Sequence, residues 1–323
     1  MSMTREQLEN HQIWIYVFSL MIGGLLGFTN EEFGAALDWM ISPLIAILMY
    51  GMFAQIPFLK LREAIANLKF MGALLVGNFI AVPMIVWILT ALFPQSAPVL
   101  LGVCLVLLTP CIDYVIVFTQ LGKGNEKLML AATPILFVVQ MMLLPLYLWL
   151  FIGEEMVGIV QVDPFLEAFL LLIVLPLIIA VITQLWAKKN ERGEKVLEST
   201  AWLPVPFMAL VLIVVVASQI GKVYSDFDVI VRVMPIYILF LIIMPVVSRL
   251  IGLTFKLDTG AGRALIFSMG TRNSLVVLPL ALALPASWAT IAAAVIVTQT
   301  MVELVGELIY MKAVPHLIWR NRE

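Results

Sequence analysis

The sequence predicts an all-α polytopic membrane protein with ten transmembrane helices. Its 323 residues are 63% hydrophobic and only 12% charged, so a soluble fold would lack the polar surface needed to cover its core. Apolar runs of about 20 residues, each sufficient for about 30 Å of helix, follow one another along the chain. The distribution of basic residues supports the same number of spans. We therefore expect an integral protein of the inner or plasma membrane.

The apolar runs are separated by short polar connections. Segments such as 94–98 and 285–287 leave room only for tight reversals. The start of the chain is polar and acidic rather than basic, and no small-residue cleavage site follows the first apolar run. Both features argue against a cleaved signal peptide. The ten predicted spans cover about 12–28, 39–58, 70–93, 98–121, 128–152, 165–187, 199–219, 230–254, 262–284 and 286–312.

Basic residues divide unevenly between the two predicted sides of the membrane. Of the 19 lysines and arginines, 16 fall on one side, Lys222 and Arg232 on the other, and Arg272 inside a span. Basic residues favour the cytoplasmic side, so both termini are predicted to be cytoplasmic. The 16 residues are Arg5, Lys60, Arg62, Lys69, Lys123, Lys127, Lys188, Lys189, Arg192, Lys195, Arg249, Lys256, Arg263, Lys312, Arg320 and Arg322.

The fourth span is interrupted near its middle. Pro110 removes a backbone donor and breaks or kinks the helix, and Asp113 follows three residues later. A carboxylate at this depth is tolerated only where protein or a wet cavity surrounds it. The sequence therefore predicts a substrate or ion site on a broken helix, as transporters build them. The alternative is a proline kink with a structural ion pair.

The two halves of the chain resemble one another. We predict five-helix repeats over 1–155 and 156–323, and because five is odd the second repeat has inverted orientation. The ninth span matches the fourth, because Gly270 and the polar stretch 271–274 weaken its helix. Interrupted helices at corresponding positions of inverted halves predict a midplane binding site in a secondary transporter.

Two buried charges, Asp113 and Arg272, lie nearest the predicted crossing of the broken helices. Their opposite signs predict a pair, because separate burial is far costlier. In one interpretation Asp113 responds to a proton or cation while Arg272 faces an anionic or hydroxylated substrate. In the other, the pair is a permanent structural lock.

Further polar side chains and two glutamates complete the candidate site. Cys111 is either a packed thiol or a ligand for a thiophilic solute, whereas Cys104 is predicted to be packed. Asn273 and Ser274 accompany Arg272 on the second interruption, and Glu303 is expected to face the cavity, with Glu307 nearer the rim. Three further amides either bond across helices or line the site: Asn78, Gln140 and Gln299.

Other functional classes have no support in the sequence. It contains no nucleotide-binding loop, metal-ligand cluster or nucleophile motif, so neither an ATP-driven pump nor an enzyme is predicted, and no cofactor or metal is expected. A net charge of −2 without a basic patch gives no reason to expect nucleic acid as a partner. The predicted partners are the lipid bilayer, a small solute and a coupling proton or sodium ion.

With stretches 107–124 (LLTPCIDYVIVFTQLGKG) and 267–285 (FSMGTRNSLVVLPLALALP), the chain resembles the bile acid:sodium symporter superfamily, most closely its arsenical-resistance (arsenite permease) branch. The resemblance implies a panel domain of spans one, two, six and seven, and a core of the other six with crossing broken helices. It also implies a cysteine on the first broken helix, which Cys111 matches. The relatives tend to carry a glutamate on the second broken helix, where this chain has Arg272, and they lack the carboxylate of Asp113.

Together these features predict a secondary transporter working by alternating access. The first hypothesis is efflux of arsenite or a related metalloid oxyacid, coupled to protons or membrane potential. The alternative is a sodium- or proton-coupled symporter of an organic anion of the bile-acid type, with Arg272 as the anion's partner. A signalling or scaffold protein would not need paired broken helices.

Overall fold

The computed structural model describes residues 5–56, 58, 67–112, 114–153, 167, 169–225 and 227–320. Regular structure in these segments is helical. Asp113 lies outside the described residues, so its pairing with Arg272 stays a prediction. The helices are α1 (Arg5–Thr29), α2 (Glu31–Ala36), α3 (Ile41–Gln55), α4 (Leu68–Leu92), α5 (Ala97–Leu107), α6 (Val115–Leu121), α7 (Glu126–Ile152), α8 (Leu170–Ala187), α9 (Glu191–Thr200), α10 (Pro204–Ser225), α11 (Phe227–Thr254), α12 (Thr259–Gly270), α13 (Ser274–Leu282) and α14 (Ala286–Ala313).

The chain is a polytopic membrane protein. Within the described segments, six helices are long and apolar enough to cross a bilayer, and shorter apolar helices accompany them. Each of the ten predicted apolar runs contains helix. The fourth run is divided into α5 and α6, and the ninth into α12 and α13, because both are interrupted. Large apolar side chains on several helices are exposed, as a lipid-facing surface requires; examples are Trp87, Met142 and Ile242.

One compact unit is formed within 1–56, 160–227 and 278–294. It contains the helices of the first, second, sixth and seventh runs. The side chain of Gln184 on α8 contacts the end of α3. Its amide nitrogen donates to the carbonyl oxygens of Phe53, Ala54 and Ile56, the last at 2.7 Å. The final carbonyls of a helix have no partner inside the helix, so Gln184 closes this helix end in an apolar environment.

The second compact unit lies within 57–159, 228–277 and 295–323 and contains both helix interruptions. A π-helical turn, Gly77–Ala81, interrupts the regular hydrogen bonding of α4. The hydroxyl of Tyr147 on α7 donates to the carbonyl of Phe79 in this turn, at 2.6 Å. Such turns often mark functional positions, and this one carries Asn78. The division of the chain into inverted repeats over 1–155 and 156–323 stays a prediction.

Candidate functional site

The two helix interruptions pair with each other through their backbones. The amide of Cys111 donates to the carbonyl of Thr271 at 3.1 Å, and the amide of Asn273 donates to the carbonyl of Thr109 at 2.8 Å. Pro110 and Arg272 therefore face each other in an antiparallel bridge. In this type of antiparallel pair, the two facing residues do not hydrogen-bond to each other through their own amides. Pro110, which has no amide hydrogen, therefore loses no hydrogen bond at this position. Unwound backbone that would be prohibitively costly in lipid is satisfied in this way.

The guanidinium of Arg272 joins the ends of the two half-helices that enter the crossing. Its terminal nitrogens donate to the carbonyl of Leu107, the last residue of α5, at 3.3 Å, and to that of Ser268, in the last turn of α12, at 2.6 Å. It also donates to Oδ1 of Asn78 at 2.8 Å, and it lies 5.6 Å from the ring centroid of Phe240. Carbonyl ends of helices carry partial negative charge, so this fully buried cation neutralises both.

A carboxyl group from α14 lies beside the second interruption. Glu303 accepts the backbone amide of Arg272 through Oε2 at 2.7 Å, and the amide of Gln299 donates to the same oxygen. Its other oxygen lies 2.8 Å from the hydroxyl of Tyr114, which is also 2.9 Å from the carbonyl of Arg272. Glu303 is 1% exposed, so an acid from the tenth span is built into the crossing.

Glu307, one turn further along α14, reaches the same interruption. Its Oε1 lies 2.9 Å from the hydroxyl of Thr271, and that hydroxyl is 2.7 Å from the carbonyl of Phe267. The side chain is fully buried. The sequence suggested a position nearer the rim. The crossing instead receives two carboxyl groups from one helix, and each touches the backbone or side chain of a residue in the second interruption.

Several buried polar atoms near the crossing have no hydrogen-bond partner within the described part of the chain. They are Nε of Arg272, Nδ2 of Asn273, Oγ of Ser274, Oε1 of Gln299 and Oε2 of Glu307. Both amide atoms of Gln140 on α7 are also buried without a partner. Leaving buried polar groups unpaired costs free energy unless something else binds them. Such a concentration is typical of a site that exchanges partners.

The structure brings together most of the residues singled out from the sequence. Arg272, Asn78, Glu303 and Gln299 form one hydrogen-bonded cluster. Asn273 and Cys111 belong to the paired backbone stretches, and Ser274 begins α13. Gln140 is buried, but among the described residues its amide bonds to none of the others. Pro110 lies in the first interruption, and Gly270 is the last residue of α12.

Three residues at the site were not predicted from the sequence. Tyr114 bonds the carboxyl of Glu303, Thr271 bonds that of Glu307, and the hydroxyl of Ser268 accepts from the amide of Asn78 at 3.0 Å. A signal existed for Ser268, because it precedes Arg272 by four residues and so lies on the same helical face. For the other two the sequence offered only their position inside the interruptions.

Comparison with known proteins identifies one family. The family model described as Sodium Bile acid symporter family matches residues 40–226, more than half of the chain. The matched range contains the first interruption, with Pro110 and Cys111, and ends before the second. A comparison with curated proteins gave no match.

Proposed function

The chain belongs to the sodium bile acid symporter family, whose members transport small molecules, and we propose that its solute binds where the two interrupted helices cross. The observation that carries this proposal is the backbone pairing of the interruptions, which gathers unpartnered buried polar atoms around residues 109–111 and 271–274. Irregular backbone at membrane depth is tolerated where it lines a binding cavity.

For the solute we propose a small metalloid oxyacid such as arsenite, moved out of the cell. Trivalent arsenic is a soft centre that prefers thiolate ligands, and Cys111 is the thiol within the paired backbone. The unpartnered Nδ2 of Asn273 and Oγ of Ser274 are suited to bonding the hydroxyl groups of such a solute. The arsenical-resistance branch, which the chain resembles in its first broken helix, supports the same proposal.

For coupling we propose a proton. In transporters with broken helices, the carbonyl ends of half-helices hold the coupling cation, and here the guanidinium of Arg272 occupies those ends itself. The described charges at the crossing are one guanidinium and the two carboxyl groups of Glu303 and Glu307. Fully ionised, this set has one excess negative charge, which a single bound proton removes. Asp113 retains its proposed part in coupling.

Sodium-driven uptake of an organic anion is the second candidate. The family description favours it, and the unpartnered Nε of Arg272 is a donor for an anion. In this alternative the excess negative charge at the crossing attracts Na⁺, with oxygen atoms such as Oγ of Ser274 as ligands. The two candidates differ in solute, in coupling ion and in their dependence on Cys111.

Transport in inside-out membrane vesicles tests the first proposal. We expect arsenite to accumulate under a proton gradient without sodium, and Cys111→Ala to lower the initial rate at least about tenfold because the arsenic ligand is lost. Cys104→Ala is the matched control, since this second fully buried thiol lies within α5, away from the interruption; it should transport as wild type does.

Two outcomes would contradict this proposal. Equal arsenite transport by the Cys111→Ala and wild-type proteins would remove the thiol from the site. Absence of arsenite flux, combined with sodium-dependent uptake of a labelled bile acid into right-side-out vesicles, would establish the second candidate.

A further inference from the structure

A cavity of about 560 Å³ lies at the end of α11, within the second compact unit. Its walls come from the last two turns of α11, the connection to α12 with the first residue of α12, and the residues after α14. Among the described residues, three with basic side chains line it: Arg249, Lys256 and Arg320. All three lie on the predicted cytoplasmic side of the membrane. This cavity shares no residue with the helix crossing described above.

The charges in this cavity are unbalanced. Within the described part of the chain, Asp258 is the single acidic residue that lines it, and Oδ1 of Asp258 accepts the amide of Ala261 at 2.9 Å, so this carboxylate already caps α12. Arg320 donates through Nε to the carbonyl of His316, which leaves its terminal nitrogens for another acceptor. Three cations facing one occupied carboxylate create a positive field in a concave site.

The backbone holds these groups in place. Lys256 has a positive φ of 55°, in the left-handed region that is unfavourable for a lysine, and it follows the end of α11. The next residue, Leu257, donates to the carbonyl of Gly252 at 2.9 Å and closes the turn. This is the left-handed closure with which many helices end, so the backbone at Lys256 is fixed in place.

Trp319, which also lines the cavity, is held in place as well. The ring of Trp319 packs so closely against α12 that a Cβ at Gly262 would lie 2.3 Å from it. Nε of Arg263 donates to the carbonyl of Trp319 at 3.0 Å. Exposed apolar side chains are next to lining residues in the chain: Leu250 follows Arg249 and is 61% exposed, and Leu317 precedes Ile318 and is 69% exposed. A charged recess beside such a surface suits a ligand with an anionic head and an apolar body.

We propose that this cavity binds the phosphate group of an anionic phospholipid of the cytoplasmic leaflet, with its acyl chains along the adjoining leucines. A basic residue near an anionic surface contributes about 1 kcal/mol, so each basic residue that lines the cavity should strengthen such binding roughly fivefold. The shared chemistry is a phosphate ester, and a free phosphate ion is the other possible source of the same group.

Native mass spectrometry of the delipidated, full-length protein tests this proposal. We expect phosphatidylglycerol to bind in preference to phosphatidylcholine, and the combined variant Arg249→Ala, Lys256→Ala and Arg320→Ala to bind it about 100-fold more weakly. The control removes three exposed basic residues elsewhere on the predicted cytoplasmic side, Lys188, Arg192 and Lys195; it should bind as wild type does.

A single substitution tests the same proposal in case the triple variant does not fold. Lys256→Asn removes one charge and places a residue that tolerates the left-handed backbone, so it should fold normally and bind about fivefold more weakly. Equal weakening by the control variant, or no preference for phosphatidylglycerol, would overturn the proposal. Saturable thermal stabilisation by inorganic phosphate at constant ionic strength, without lipid preference, would instead assign the cavity to soluble phosphate and overturn the lipid.

Discussion

The hydroxyl of Tyr114 has one hydrogen, yet two acceptors lie within bonding distance of its oxygen: the carbonyl of Arg272 and Oε1 of Glu303. The hydroxyl of Thr271 likewise has two acceptors within bonding distance, the carbonyl of Phe267 and Oε1 of Glu307. Each arrangement is satisfied when the carboxyl group is protonated and donates to the hydroxyl, which then donates to the carbonyl. Hydrogen counting thus makes either carboxyl group a suitable site for a proton, and charge counting requires one of the two to be protonated.

The substitution Glu303→Gln tests this inference at the level of one residue. An amide can imitate the protonated acid, because its NH₂ group donates to Tyr114 while its oxygen accepts the amide of Arg272. We expect the variant to unfold at a temperature no lower than wild type, and to lose the response of arsenite transport to the proton gradient while still exchanging arsenite between equal concentrations.

The matched control is Glu198→Gln, which makes the same change at an exposed position on α9 and should leave the response to the proton gradient intact. A Glu303→Gln protein that still accumulates arsenite against its gradient under proton drive would show that this carboxyl group does not carry the coupling proton. Severe destabilisation of the variant would show that Glu303 is needed in its ionised form.

At the scale of helices, the end of the half-helix α12 packs in close contact with α14. A Cβ at Gly270, the last residue of α12, would lie 2.5 Å from the ring of Tyr310 on α14. The sequence suggested that this glycine weakens the helix; the structure adds that its missing side chain admits the tyrosine. The Tyr310 hydroxyl also donates to the carbonyl of Leu241, so the ring has little freedom to move away.

We therefore expect Gly270→Ala to lower the free energy of unfolding by about 1–3 kcal/mol through overpacking. Gly260→Ala is the control in the same helix, because its Cβ would meet ordinary contacts at 3.4 Å; it should be neutral or slightly stabilising. Denaturation of both variants in detergent gives the comparison. Equal stability of the two would mean that Tyr310 yields easily and that the close contact is unimportant.

The positions of both interruptions could be predicted from local sequence, because proline and glycine act on the helix that contains them. The partners of Arg272 could not. Its guanidinium bonds Asn78, 194 residues away in the chain, and the carbonyl of Leu107, 165 residues away, and such bonds depend on packing that has no local signal. The π-helical turn around Asn78 was missed for the same reason, since nothing in its composition distinguishes it from regular helix.

For the whole molecule, the decisive prediction is the number of crossings and the side of each connection. Six helices meet the length criterion within the described segments, and the interrupted or shorter helices must supply the other crossings if there are ten. The basic residues then place 188–199 in the cytoplasm and 93–96 on the opposite side. One missed crossing between these connections would put both on the same side.

Single exposed cysteines can distinguish these arrangements. Both native thiols are fully buried, so wild type gives a low background with a membrane-impermeant maleimide. Ser96 precedes α5 and Ser199 lies on α9, and both are exposed. In intact cells we expect Ser96→Cys to be labelled and Ser199→Cys to be protected until the membrane is permeabilised. If both cysteines were labelled from outside, positions 96 and 199 would lie on the same side of the membrane and an even number of spans would separate them. The ten-helix arrangement with two inverted repeats would then be wrong.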